Sequence, residues 1–365
     1  MPKPSRSIDS ASVWQSINED VMLPRYQIDK TYDWNYTHSP DVVTGLDIPQ
    51  VKGEWTFCGK RLDSPLGIAA GPLLNGRWVR YYASLGFDLV TYKTVRSRAR
   101  ECYPLPNLQP VLTGPVNGTE TNVPTASEML GSWAVSFGMP SREPDVWRKD
   151  VEETREQLPK GKLLNVSVVG TDQPGFTLED LAADYALCAK WAVESGADTV
   201  EANLSCPNVS TCDGQLYQQP EAAGLVAAII REQIGDTPLI IKVGHTTEPA
   251  AVEALLKALS PAVNACAMTN SVAVRVRNPE SGEELFDGEK RGICGSACRD
   301  ASLLQTQLFV DAVKRLNLAV EIVGVGGIET AQHVNDYLNQ GASIVQLATA
   351  AMVDPEVGVN IRRSL

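Results

Sequence analysis

The residues best suited to chemistry gather in one short segment, Glu201-Ala-Asn-Leu-Ser-Cys-Pro-Asn208. Asn203 and Asn208 offer amide donors and acceptors that match a heterocycle bearing carbonyl and N–H groups. Pro207 stiffens the turn. Cys206 stands at the end of an apolar run in polar company, the setting of a thiol that exchanges protons once its ordinary pKa of about 8.5 is lowered.

Other polar residues fall at the same kind of place. Taking only the ends of short Val/Ile/Leu-rich runs gives Ala70-Gly71, Lys93-Thr94, Asn165, Lys242, Asn270-Ser271, Gly326-Gly327 and Ala348-Thr349. Lysine is almost never buried without a partner, so Lys93 and Lys242 at strand ends point to a bound anionic or electron-rich cofactor. The run Gly324-Val-Gly-Gly-Ile-Glu-Thr330 leads from a strand into a helix, where free N–H groups and the helix dipole can hold a phosphate. Ala348-Thr349-Ala350 adds further N–H groups and a hydroxyl. The glycines do not follow G-x-G-x-x-G, so they make no case for a nicotinamide-binding unit.

These positions need a scaffold that brings strand ends to one face. Apolar runs over 65–70, 89–93, 163–168, 199–202, 239–243, 265–269, 320–324 and 344–347 alternate with helical patterns such as Leu178–Glu194 and Glu248–Leu259. Strand–helix alternation with no polar edge strand predicts an α/β fold, a closed (β/α)8 TIM barrel. Two long connections, from Thr94 to about Asp145 and from Ser271 to about Ala301, are expected to cover its mouth. Residues 1–52 read as a polar, aromatic-dotted extension wrapped on a barrel over 53–365, with Gly53–Leu62 a hairpin leading in.

A formal charge of −12 disfavours nucleic acid and anionic membranes as partners. Neither a spanning apolar stretch nor a signal-peptide core is visible, which predicts a cytoplasmic protein. The cysteines at 58, 102, 188, 206, 212, 266, 294 and 298 form no C-x-x-C pair, so reduced thiols are expected and no cluster or zinc site. Of the histidines only His245 falls near the predicted mouth, without a second ligand at metal spacing.

N-L-S-C-P-N (203–208) resembles the active-site motif of the dihydroorotate dehydrogenases. The resemblance runs in register through S-P-L-G-I-A-A-G-P (64–72), Y-K-T (92–94), I-I-K-V-G (240–244), T-N-S (269–271), R-G-I-C-G-S (291–296), V-G-G-I (325–328) and Q-L-A-T-A (346–350). It implies an FMN across the mouth, with Ala70, Gly71, Lys93, Thr94, Asn165, Asn203 and Lys242 around its ring. Lys242 would stabilise the charge of the reduced ring at its N1–C2 edge. Gly295, Gly326, Gly327, Ala348 and Thr349 would hold the phosphate, and Lys93, Asn203, Asn208, Asn270 and Ser271 the pyrimidine substrate. Cys206 would remove the C5 proton of dihydroorotate while the C6 hydride passes to flavin N5. A cysteine base is similar to the soluble class of the family, whose members are often homodimers and pass electrons either to a small acid such as fumarate or through a partner carrying iron–sulfur and FAD.

Some residues depart from that pattern. Val135 stands where the family has a substrate-binding asparagine, and Arg291, Cys294 and Ala348 replace small residues of the phosphate loops. Arg291 is expected either at the phosphate or in solvent, and Arg96, Arg98 and Arg100 either near a substrate carboxylate or solvated. Val135 keeps open a dihydropyrimidine-type or other FMN ene-reductase. A non-redox isomerase would use the glycine loop for its substrate's phosphate but would have no need of the lysines and asparagines.

Overall fold

The structure is a computed structural model that describes residues 23–205 and 215–365. Eight parallel strands close into a barrel in chain order: Leu66–Ile68, Leu89–Val95, Leu163–Val168, Thr199–Asn203, Leu239–Lys242, Ala265–Met268, Glu321–Val325 and Ile344–Leu347. All eight expected runs are therefore strands of the predicted barrel. The second extends past Lys93 to Val95, so that lysine lies within its strand and not at its end.

The barrel is a packed core. Ala69, Leu89, Leu163, Ile240, Ala265, Val323 and Ile344 form one apolar cluster, and Phe57 and Leu62 of the hairpin join it. The hairpin pairs Trp55–Phe57 with Lys60–Leu62, and the Cys58 N–H donates to Glu321 Oε1 at 2.7 Å. Its turn residues Cys58 and Gly59 both have positive φ, the geometry of a two-residue hairpin turn.

Helices between the strands start and stop where local chemistry dictates. Leu178–Glu194 opens with a capping box, in which the Thr177 hydroxyl accepts from Asp180 N–H while the Asp180 carboxylate accepts from Thr177 N–H. Pro249 stands at the first turn of the helix Pro249–Leu259, where its missing N–H costs nothing.

Both long connections contain strands that periodicity did not single out. Leu108–Pro110, Asn122–Pro124, Ser132–Val135, Val272–Arg277 and Arg291–Gly295 form a five-stranded sheet. Its own apolar cluster includes Val111, Val123, Ala134, Val274 and Ile293. Strands of three to six residues, assembled from two distant segments, carry little local signal.

The described part of the extension is woven into the main core. Tyr26 and Tyr32 are buried, the Tyr81 hydroxyl donates to Pro24 O at 2.6 Å, and Trp78 Nε1 donates to Asn35 O at 3.1 Å. A short helix, Tyr32–Thr37, is capped by the Thr31 side chain. No helix among the described residues is long and apolar enough to cross a membrane.

Candidate active site

A cleft of about 940 Å³, counted with its open mouth, lies at the C-terminal ends of the barrel strands, under the five-stranded sheet. Of the residues singled out in the sequence, Ala70, Gly71, Lys93, Thr94, Asn203, Lys242, Asn270, Gly295, Gly326, Gly327, Ala348 and Thr349 all line it. Cys206 and Asn208 lie outside the described residues. Asn165 and Ser271 are buried but do not line the cleft.

Asn165 is in mid-strand, below the cleft. Its Nδ2 donates to Thr91 Oγ1 at 3.2 Å, and its Oδ1 accepts from Thr199 Oγ1 at 2.8 Å. Gln346 Nε2 also donates to Thr91 Oγ1, at 2.9 Å. This polar layer supports the floor from beneath.

Lys93 donates to Gly71 O at 3.0 Å, with its ammonium 4.3 Å from the centroid of Phe137 and 5.9 Å from that of Tyr32. Cation–π contacts of this kind hold a buried ammonium without neutralising it. The extension thus reaches the site through Tyr26 and Tyr32, whose rings meet Phe137 edge-on. At the fourth strand exit, the Asn203 Oδ1 accepts from Ser205 N–H at 3.1 Å and from Ser205 Oγ at 3.0 Å. Asn270 Nδ2 donates to Ser205 O at 3.0 Å. The chain therefore leaves Ser205 from a fixed point at the mouth.

The floor carries charge. Lys242 and Glu201 are both buried and both line the cleft. Desolvation pulls the Lys242 ammonium below its usual range and pushes the Glu201 carboxyl above its own, while each charge opposes the other's shift.

At the far end, glycine is required by shape. Gly327 has φ +64°, and a Cβ there would lie 2.4 Å from Arg299 Cβ. Gly295 has φ +96°, and a Cβ would lie 2.1 Å from Gly131 O. Ala348 has negative φ, so alanine costs nothing where it stands ahead of the short helix Thr349–Val353.

The roof is apolar, made by Leu108, Trp133, Val135, Phe137 and Cys294. Among these only Val135 and Cys294 drew notice in the sequence. Trp133, Val135 and Phe137 alternate along one strand and its continuation, a period-of-two signal that could have found the roof. Burial pushes the Cys294 thiol up, away from thiolate character.

Two expectations for arginines are corrected. Arg96 is fully buried and neither solvated nor in the cleft: its Nε donates to Met139 O at 3.1 Å and Nη1 to Gly170 O at 2.8 Å, which ties the two loops together. Arg291 reaches neither phosphate loop nor open solvent alone; its Nε donates to Ser136 Oγ at 3.0 Å, and it lies over the Phe286 ring.

The sequence profile of a family described as dihydroorotate dehydrogenase matches residues 53–365. A protein of Dictyostelium discoideum named dihydroorotate dehydrogenase is 32% identical, over 93% of this chain and 96% of its own length. The catalytic subunit of a dihydroorotate dehydrogenase B (NAD(+)) from Maridesulfovibrio salexigens is 24% identical, over 85% of this chain and 90% of its own. A quinone dihydroorotate dehydrogenase from Bordetella avium is 26% identical, over 80% and 79%. The crystal structure of DHODH from Eimeria tenella in complex with ferulenol shares the fold, with a TM-score of 0.69, 18% identity and coverage of 90% of this chain and 87% of that one.

Proposed function

The chain belongs to the dihydroorotate dehydrogenase family, and from that premise we propose that it binds FMN in the barrel mouth and oxidises dihydroorotate to orotate. The observation that carries the proposal is a single cleft lined by both a glycine loop that leads into a helix and a buried lysine. The residues present fit such a cofactor. Gly326 and Gly327, both at positive φ, line the cleft beside Thr349, and the apolar walls suit a flat ring.

In this reading Gly295, Gly326, Gly327, Ala348 and Thr349 hold the phosphate. Ala70, Gly71, Lys93, Thr94 and Lys242 surround the ring, with Asn165 acting from the layer beneath. Asn203, Asn208 and Asn270 orient the pyrimidine, with Ser271 buried next to Asn270 and off the cleft wall, and Lys93 faces its charge. FMN, when bound, supplies the hydride acceptor. Cys206 takes the C5 proton onto its sulfur, and the Lys242 ammonium stabilises negative charge on the ring.

Gly327→Ala tests the cofactor site. Left-handed backbone and a collision with Arg299 cost of order 1–3 kcal/mol, equivalent to about 5- to 150-fold weaker FMN binding if the loop moves to relieve it. Titrating FMN into the stripped protein, followed by flavin fluorescence, reads this directly. Equal affinity for wild type and variant would remove Gly327 from the phosphate site.

A second reading, a neutral dihydropyrimidine as substrate, is favoured by one observation: Val135 forms part of an apolar roof. Parallel assays with dihydroorotate and dihydrouracil separate the two. If dihydroorotate is the substrate, Val135→Asn adds a hydrogen bond to a polar ring and is expected to raise kcat/KM for it about tenfold. Turnover of dihydrouracil alone would exclude dihydroorotate.

A further inference from the structure

Glu201 lies on the fourth barrel strand and Lys242 ends the fifth. The register pairs Glu201 with Ile240 and Asn203 with Lys242, so the two ionisable residues are diagonal neighbours on adjacent strands. Both line the cleft, so they face the same side. Long side chains span a diagonal separation.

The surroundings leave the carboxylate incomplete. Glu201 is 2% exposed and Lys242 3%. The Ser167 hydroxyl, 3.0 Å from Thr94 Oγ1, favours the charged form of the carboxylate. Glu201 Oε2 is buried and has no hydrogen-bond partner. A buried acceptor without a donor is strongly disfavoured, and so is a buried ammonium without a counter-charge. Each charge opposes the shift that burial imposes on the other. Cys294 is the other titratable group whose charge bears on Lys242.

We propose that Glu201 is a positioning residue: its buried carboxylate, a diagonal neighbour on the adjacent strand, is the counter-charge that keeps Lys242 charged in the cleft, acting through its field across the diagonal. Glu201 does not touch the reacting atoms. It sets how much positive charge Lys242 can present to whatever occupies the floor. The partnership stands on the structure of the floor alone, whereas its effect on a flavin rests on the FMN reading.

A double-mutant cycle on protein stripped of ligands tests the partnership. Glu201→Gln and Lys242→Met are each expected to lower Tm, and the two together by clearly less than the sum of the single shifts, because the second loss removes the charge that the first left unpaired. Glu201→Asp, which keeps the charge, is expected to restore part of the loss and serves the cycle if the Gln variant does not fold. Additive shifts would overturn the partnership. In FMN-loaded protein, Glu201→Gln is expected to disfavour the reduced ring by about tenfold, a fall in midpoint potential of about 30 mV for a two-electron couple, with Asp intermediate. A potential unchanged in the Gln variant would overturn the tuning role, since a purely structural residue would leave it unmoved. Wild-type protein that takes up no FMN would instead sink the cofactor reading, and the thermal cycle would still decide the pairing.

Discussion

Cys206→Ala is expected to slow reduction of the protein by dihydroorotate by about 10²–10⁴-fold, the usual contribution of a positioned general base. Cofactor content should stay unchanged, because the phosphate loop and the lysines are untouched. Ser205 is tied to Asn203 and Asn270 at the cleft mouth, and Cys206 is the next residue in the sequence. Cys206→Ser should fall between the two and regain rate as pH rises, since a hydroxyl is a much weaker acid than a thiol. Stopped-flow absorbance under anaerobic conditions reads each rate. An alanine variant within a few-fold of wild type would remove Cys206 from proton transfer.

The second large effect concerns stability. Asp88 is fully buried at the base of the second barrel strand, opposite the cleft. Its carboxylate accepts from Arg362 Nη1 at 2.8 Å, and from Lys162 Nζ and Ser64 Oγ. Arg362 also donates to Gly86 O at 2.9 Å and to Pro49 O at 2.8 Å. One carboxylate thus fastens the starts of three strands, the C-terminal helix and the extension. Asp88→Ala leaves a guanidinium that is 4% exposed without a counter-charge, a loss of about 3–5 kcal/mol for a broken buried pair. Chemical denaturation is the measurement. A loss below about 1 kcal/mol, the worth of a surface pair, would contradict this account of the barrel base.

How much of this was legible depended on whether the signal was local. Barrel strands such as Ala265–Met268 are buried on both faces, so they read as continuous apolar runs, and helices such as Leu178–Glu194 carry the three-to-four period and a cap. The place of Gly326 and Gly327 at the cleft was legible because they stand between a strand and a helix. Non-local features were not. The roof is completed by Leu108 and Cys294, 186 positions apart on separate strands, and no period joins them to Trp133. Arg96 looked like one of an alternating charged run, yet its neighbours Arg98 and Arg100 lie outside the contacts to Met139 and Gly170 that bury it. Asn165 was placed at a strand end because the residues around it are apolar, whereas the barrel uses its amide to satisfy Thr91 and Thr199 inside. The tyrosines of the extension gave no periodicity, since they pack individually against Phe137 and not as a face.

The most direct test of the central claim is an anaerobic absorbance spectrum of the purified, FMN-reconstituted protein before and after one equivalent of dihydroorotate. Oxidised-flavin absorbance bleached by dihydroorotate, with orotate formed in equal amount, is the predicted result. A flavin that binds but stays oxidised would contradict dihydroorotate as the substrate, and a chain that cannot be loaded with FMN at all would contradict the account at its root.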